Sequence, residues 1–129
     1  MTTLLIDTST PVCKVTILDG EESQDYSWES GRQLAAGLLS YLEECLDKTG
    51  KQLEDVDNIG IYRGPGSFTG LRIGITVANT IAESSNIPIV GETGDDWQSK
   101  AIDRLNLGEN DQIIMPLYGS EAHITKQRK

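Results

Sequence analysis

The chain has 129 residues, 37% hydrophobic and 24% charged, which is typical of one compact domain and excludes a disordered polypeptide. Its 20 acidic residues outnumber its 11 basic ones, giving a formal net charge of -9. Because affinity for phosphate backbones comes mainly from lysine and arginine, this balance argues against strong direct nucleic-acid binding. No segment reaches the roughly 20 apolar residues that cross a bilayer, and we therefore expect a cytoplasmic protein.

The first part of the chain predicts three consecutive strands. Apolar and β-branched residues dominate 4–10 and 12–18, a more polar strand pattern covers 23–28, and Asp19-Gly20 is a turn signal between the last two. These three strands predict a β-meander. Cys13 and Cys45 lie in apolar patterns far apart in the sequence, which favours two buried, reduced thiols over a disulfide or a metal site.

Helical spacing replaces this pattern after residue 30. Apolar residues recur at helical spacing from 32 to 48, with Ser30 as the predicted N-cap and Gly50 as the predicted stop. The remaining predicted elements are a strand at 59–62, a helix at 69–85, a strand at 87–91, a polar helix from 95 or 96 to 105, and a final strand at 112–115. A meander followed by α-β-α-β-α predicts an α/β fold with a mixed sheet of about five strands.

The most informative segment is the glycine-rich stretch before the second long helix. It reads Gly64-Pro65-Gly66-Ser67-Phe68-Thr69-Gly70, and Arg72 follows it. Glycines around a φ-locked proline allow a sharp turn, and Ser67 or Thr69 can cap the helix. Glycine-rich helix starts also bind phosphate, but the segment matches neither the Walker nor the dinucleotide pattern. We therefore favour a tight turn over a phosphate cradle.

The second long helix carries small residues at four-residue spacing: Gly70, Gly74, Ala78 and Ala82. Its other faces are apolar, so one sheet cannot cover all of it, and a partner is needed on a second side. The small residues would allow a second helix to approach closely. We predict a partner interface formed by this stripe together with three leucines of the first helix: Leu38, Leu42 and Leu46.

The stretch from Arg63 to Gly74 resembles the signature of the TsaB (YeaZ) family, and the stretch from Leu5 to Thr10 resembles that family's first strand. The resemblance covers most of residues 3–105. It implies a single lobe of the actin-like ATPase, RNase H-like fold group, at residues 1–110. Residues 111–129 are then the truncated start of a second lobe or an extended tail.

The resemblance also implies a function, that of a non-catalytic partner of a TsaD-type enzyme in tRNA threonylcarbamoyladenosine biosynthesis. A TsaE-type ATPase would be a further partner, and a homodimer is expected when the enzyme is missing. We expect no cofactor and no metal, because His123, in the tail, is the only histidine and no nucleophile stands beside a base.

By the same resemblance, Asp7, Thr8 and Ser9 are similar in position to the fold group's first phosphate loop, and we interpret them as vestigial. Asp7 is then a strand-end carboxylate bound to nearby amides. The alternative is a small nucleotide-binding enzyme that completes its cleft by self-association. The sequence leaves that alternative open.

Overall fold

The computed structural model describes residues 1–118 and places five strands in one mixed sheet. The strands are β1 (Thr2–Asp7), β2 (Val12–Asp19), β3 (Glu22–Glu29), β4 (Asn58–Tyr62) and β5 (Ile89–Glu92), in the spatial order β3-β2-β1-β4-β5. β1 is antiparallel to β2 and parallel to β4, and β4 is parallel to β5. The predicted meander and the mixed five-stranded sheet are confirmed.

Three α-helices cover the two faces of this sheet. They are α1 (Leu34–Lys48), α2 (Phe68–Ser85) and α3 (Trp97–Asn106), and short 3-10 turns span Gly31–Gln33 and Leu53–Asp55. α1 and α2 pack on one face, and α3 packs on the other face against β4 and β5. Within residues 1–118, none of the helices combines the length and the apolar character that crossing a membrane requires.

The ends of the helices follow from local hydrogen bonding. Beyond α1, Gly50 adopts φ +76, Lys51 N–H donates to Leu46 O at 2.9 Å, and Gly50 N–H donates to Asp47 O at 3.0 Å. This pair of bonds is a Schellman motif, and the predicted stop at Gly50 is confirmed. Ser30 is the N-cap of the 3-10 turn that leads directly into α1, and its carbonyl oxygen accepts from Gln33 N–H at 2.7 Å. Its side chain does not cap the turn, because the hydroxyl donates to Pro11 O at 3.2 Å.

The core is divided by the sheet because alternate residues of each strand point to opposite faces. Leu4 and Ile6 of β1 join the larger core under α1 and α2, and Leu5 joins a smaller core under α3. Cys13 and Cys45 are free thiols inside the larger core, as predicted.

The predicted final strand at 112–115 is wrong. Ile114 is buried there, but its backbone pairs with a side chain: Ile114 N–H donates to Asn79 Oδ1 at 2.9 Å, and Asn79 Nδ2 donates to Ile114 O at 3.1 Å. One amide of α2 thus replaces a neighbouring strand. Residues 119–129, with His123 and the basic tail 126–129, lie outside the described residues. The boundary after residue 110 stays a prediction.

Candidate functional site

The candidate site lies at the end of the sheet where the carboxyl ends of the parallel strands β1, β4 and β5 meet. Open α/β sheets bind ligands at this end. Three loops begin at this end of the sheet, after Asp7, Tyr62 and Glu92. The first of them (residues 8–11) holds the predicted vestigial phosphate loop, and the second (residues 63–67) holds the glycine-rich motif. The fold therefore brings these two predicted groups of residues together.

The two loops are in direct backbone contact. Ser67 N–H donates to Ser9 O at 2.8 Å. A Cβ atom added to Gly66 would lie 2.5 Å from Ser9 Cβ, much closer than two such atoms approach in folded proteins. The second glycine of the motif is thus required because loop 8–11 lies against it.

Thr8 fixes the start of α2. Its side chain is fully buried, and its Oγ1 donates to Gly70 O at 2.7 Å. A Cβ atom on Gly70 would lie 2.2 Å from Thr8 O, and one on Gly74 would lie 2.0 Å from Thr8 Oγ1. The glycines of the small-residue stripe therefore permit a close approach within the lobe, between α2 and loop 8–11.

The motif turn is held from two sides. Tyr62 donates its hydroxyl hydrogen to Pro65 O at 2.7 Å, and Leu117 N–H donates to Arg63 O at 2.7 Å. Gly64 has φ +133, and a Cβ atom there would lie 1.8 Å from Leu117 O. Only glycine fits this position, for its backbone conformation and for the space available.

Two motif residues point outward. The Phe68 ring is 55% exposed, and its centroid lies 4.3 Å from that of Tyr118. The Arg72 guanidinium lies 5.7 Å from the centroid of Phe68. The start of α2 thus presents an aromatic ring and a cation to the surroundings.

Three amides around the start of α2 are bonded within the lobe. Ser67 N–H bonds to loop 8–11, Gly70 N–H donates to Ser67 Oγ at 3.3 Å, and Leu71 N–H donates to Ser67 O at 2.9 Å. Ser67 is therefore the N-cap, and Thr69 lies inside the first turn. The side-chain cap and the contact with loop 8–11 are those of a tight turn.

Asp7 accepts hydrogen bonds from its own loop. Its Oδ1 accepts from Ser9 N–H at 2.9 Å and from the Ser9 hydroxyl at 2.6 Å. Burial raises the pKa of the neighbouring Tyr62 hydroxyl, and the negative charges of Asp7 and Asp95 raise that pKa further. The Tyr62 hydroxyl therefore stays protonated at neutral pH and keeps its bond to Pro65 O.

The described residues offer few groups for chemistry. Residues 1–118 contain no group of three His, Cys, Asp or Glu side chains that could hold a metal ion. Burial, with smaller contributions from Cys45 and Asp7, raises the pKa of Cys13 to about 12, and burial also raises the pKa of Cys45. Because thiolates are the reactive form, two protonated buried thiols are unreactive at neutral pH.

The residues predicted for a partner interface need correction, because all seven are buried inside the lobe. They are Leu38, Leu42, Leu46, Gly70, Gly74, Ala78 and Ala82. The leucines and alanines belong to the core beneath the helices, and the glycines face loop 8–11. Small residues at helical spacing signal a close approach, but not whether the neighbour is the same chain or another.

The outward surface of α1 and α2 carries a groove of about 370 Å³, which we call the outer groove. Its lining residues are Ala35, Thr69, Arg72, Ile73, Thr76 and Val77. Ile73 and Val77 are only partly covered, and Leu39 on α1 is 46% exposed. The predicted interface does not include Ile73 and Val77, although these two residues are four positions apart on a different face of α2 from the small-residue stripe.

Comparisons with known proteins agree with this geometry. The model of the TsaD family, described as tRNA N6-adenosine threonylcarbamoyltransferase, matches residues 28–93, just over half of the chain. The tRNA threonylcarbamoyladenosine biosynthesis protein TsaB of Haemophilus influenzae is 32% identical over 110 residues, 85% of this chain and 47% of that protein. The Escherichia coli protein of the same name is 33% identical over 91 residues, 70% of this chain and 39% of that protein.

A solved structure shows the same fold. YeaZ from Pseudomonas aeruginosa matches with a TM-score of 0.67 at 36% identity, over 71% of this chain and 43% of that one. The mixed sheet, the helices on both its faces and the glycine-rich loop at the strand ends define one lobe of the actin-like ATPase fold group. Within that class, the chain belongs to the TsaB (YeaZ) family. It spans less than half the length of the relatives named here.

Proposed function

We propose that the chain acts in tRNA threonylcarbamoyladenosine biosynthesis, in the cytoplasm, as a non-catalytic partner of a TsaD-type enzyme. The names of the TsaB relatives support the pathway. The charge of -9 makes the chain a poor direct ligand for tRNA, which favours a role through the enzyme. A TsaE-type ATPase would be a further component of the assembly.

The match to the TsaD family supports the choice of partner. The matched residues 28–93 of this chain include both α1 and α2, so the enzyme's own family carries a related pair of helices. Two such pairs can pack as a four-helix arrangement, with the side chains of one pair in the grooves of the other. The same geometry would allow a homodimer, which the enzyme would displace.

The outer groove is the observation that carries this proposal. It lies between the two helices, and Ile73 and Val77 line it with apolar surface that nothing in residues 1–118 covers completely. Arg72 at its rim can bind a carboxylate of the partner. The lobe can form this contact without exposing its core, because the small-residue stripe on the other side of α2 is already buried, its glycines against Thr8 and its alanines in the larger core.

The test is Ile73→Asp, which places a charge in the outer groove. Affinity for a TsaD-type enzyme of the same source, measured by calorimetry, should fall at least about tenfold, because burying an unpaired carboxylate costs well over 1 kcal/mol. The matched control is Leu107→Asp, since Leu107 is an apolar residue that is 77% exposed beyond α3. The control should bind like the wild type, and both variants should remain folded. Unchanged affinity in a folded Ile73→Asp variant would place the interface elsewhere.

The same preparation separates this proposal from the enzyme alternative. The isolated chain is expected neither to hydrolyse ATP nor to modify tRNA. Asp7→Asn is close to isosteric, and an amide oxygen can still accept the bond from Ser9 N–H. ATP turnover by the isolated chain that disappears in this variant would establish the self-associating nucleotide-binding enzyme instead.

A further inference from the structure

The two edges of the sheet are treated differently by the rest of the chain. At the β5 edge, Ile89 N–H donates to Asn110 Oδ1 at 3.1 Å, and Asp111 N–H donates to Ile89 O at 2.8 Å. Gly91 N–H donates to Asp111 Oδ2 at 3.0 Å, and Arg104 Nη1 donates to Gly91 O at 3.2 Å. Loop and side-chain groups thus saturate the outward backbone of β5, and no further strand can be added there.

The β3 edge has no such cover within residues 1–118. Bonded and non-bonded pairs alternate along an antiparallel ladder. Ser30 N–H donates to Pro11 O at 3.1 Å, so Pro11 and Ser30 form a hydrogen-bonded pair. With the register of β2 and β3, this pair determines which residues of β3 bond to β2 and which do not. The backbone groups that point away from the sheet are therefore those of Ser23, Asp25, Ser27 and Glu29. All four residues are exposed, and they extend over about 20 Å.

The side chains along β3 differ between its two faces. On the α1 face, Tyr26 and Trp28 are half-buried: Trp28 stacks on Tyr41 with centroids 4.9 Å apart, and Lys48 Nζ lies 5.6 Å from the Tyr26 centroid. The opposite face carries Asp25 and Glu29. One face of this edge therefore offers aromatic surface, and the other offers carboxylates.

We infer that β3 is a docking edge for an extended segment of another protein, one that alternates basic and apolar residues. Its basic side chains would lie beside Asp25 and Glu29, and its apolar side chains would cover Tyr26 and Trp28. Main-chain bonds supply affinity in such strand addition, and alternate side chains supply specificity. Lys14 stands opposite Ser27 in the register, so the ligand is neutral at that position.

Charge decides which strand can be added. A second copy pairing through the same edge would bring two acidic rows together, and directly opposed like charges are destabilising. Edge strands are commonly protected against pairing by lysine side chains. The four residues of β3 whose backbone groups point away from the sheet are two serines and two acidic residues. The edge thus rejects its own copy and accepts a basic strand.

The experiment uses an eight-residue fluorescent peptide that alternates lysine and valine, with fluorescence anisotropy as the readout for the full chain. Ser27→Pro removes an outward amide and should weaken binding at least tenfold. Glu29→Lys should weaken peptide binding at least fivefold. This second variant tests the same strand even if Ser27→Pro does not fold. The matched control Glu43→Lys makes the same charge change on an exposed residue of α1 and should shift affinity less than twofold.

Three results would overturn the inference. One is equal weakening by Glu29→Lys and Glu43→Lys, which would mean unspecific charge attraction. Another is an absence of binding by the wild type at millimolar peptide. The third is a homodimer, seen by sedimentation, that Glu29→Lys alters. Binding through the edge should also slow hydrogen exchange at the amides of Ser23, Asp25 and Ser27.

Discussion

Helices α2 and α3 lie on opposite faces of the same sheet and are held there by different interactions. α2 is fixed by buried steric fit, with Gly70 and Gly74 against Thr8 and a buried hydroxyl bond to Gly70 O. α3 buries a short row of three residues, Trp97, Ala101 and Leu105. Much of its remaining attachment is ionic and partly exposed, and Arg104 contacts Glu92, Glu109 and Asp111.

The difference predicts how each helix tolerates change. A buried fit without spare room fails when a single methyl group is added, because packed interiors do not yield. A partly exposed ion pair contributes little, since water screens the charges and ordering the side chains costs entropy. Substitutions at the α2 contact should therefore cost several times more stability than those at the α3 contact.

The largest effect is expected for Gly74→Ala. Helix propensity alone would make this change stabilising by about 1 kcal/mol. The new Cβ atom would lie 2.0 Å from Thr8 Oγ1, and the overpacking should destabilise the fold by about 3 kcal/mol or more. Urea denaturation gives the sign directly. The double variant Gly74→Ala with Thr8→Ala should recover much of the loss, and stabilisation by Gly74→Ala alone would contradict the described contact.

A smaller effect is expected for Thr8→Val. The change keeps the shape of the side chain and removes the hydroxyl that donates to Gly70 O. Loss of one buried hydrogen bond should lower the free energy of unfolding by about 1 kcal/mol. Thr10→Val is the matched control, because within residues 1–118 the Thr10 hydroxyl bonds only inside its own exposed turn. Equal melting curves for the two variants would argue against the role of Thr8.

The smallest effect is expected for Arg104→Met, at less than about 1 kcal/mol at neutral pH. Burial alone would raise the pKa of Asp111, but bonds from Arg104 and Gly91 N–H prevail and hold it below its ordinary 3.8. A depressed carboxyl pKa adds stability above about pH 3.8, and this is lost as pH falls through the folded value.

The difference in the free energy of unfolding between the wild type and Arg104→Met should therefore become smaller as the pH falls below about 3.8. Denaturation at pH 7 and pH 3 measures it. Arg32→Met serves as control, because Arg32 is exposed and has no ion pair within residues 1–118. An equal loss in both variants at neutral pH would show that the ion pairs of Arg104 add nothing.

Local chemistry made most elements predictable from the sequence. The turn signal at Asp19-Gly20 and the stop at Gly50 depend on neighbours a few residues away, and both appear where expected. The stretch 112–115 has the apolar pattern of a strand, but Asn79 pairs with its backbone from a distant helix. Strand pairing across the fold cannot be deduced from a local pattern.

The same limit explains the site. The turn at Gly64-Pro65-Gly66 and the cap at Ser67 were predictable from backbone preferences. The neighbour of Gly74 was not, because Thr8 is far away in the sequence and only the completed sheet brings it close. The predicted interface residues were misassigned for this reason, since the outer groove lies on the exposed side of α2 and the small-residue stripe on its buried side.

The central position of β1 has a consequence for how the chain folds. β1 pairs with its sequence neighbour β2 on one side, but on the other side it must wait for β4, and Thr3 Oγ1 bonds to Asn58 Oδ1 across 55 residues. Loop closure over that distance is slow compared with hairpin formation. During synthesis, the β1–β3 hairpins would leave the ribosome before β4, with one apolar edge of β1 unpaired. The lobe is closed only after α1 and β4 have followed.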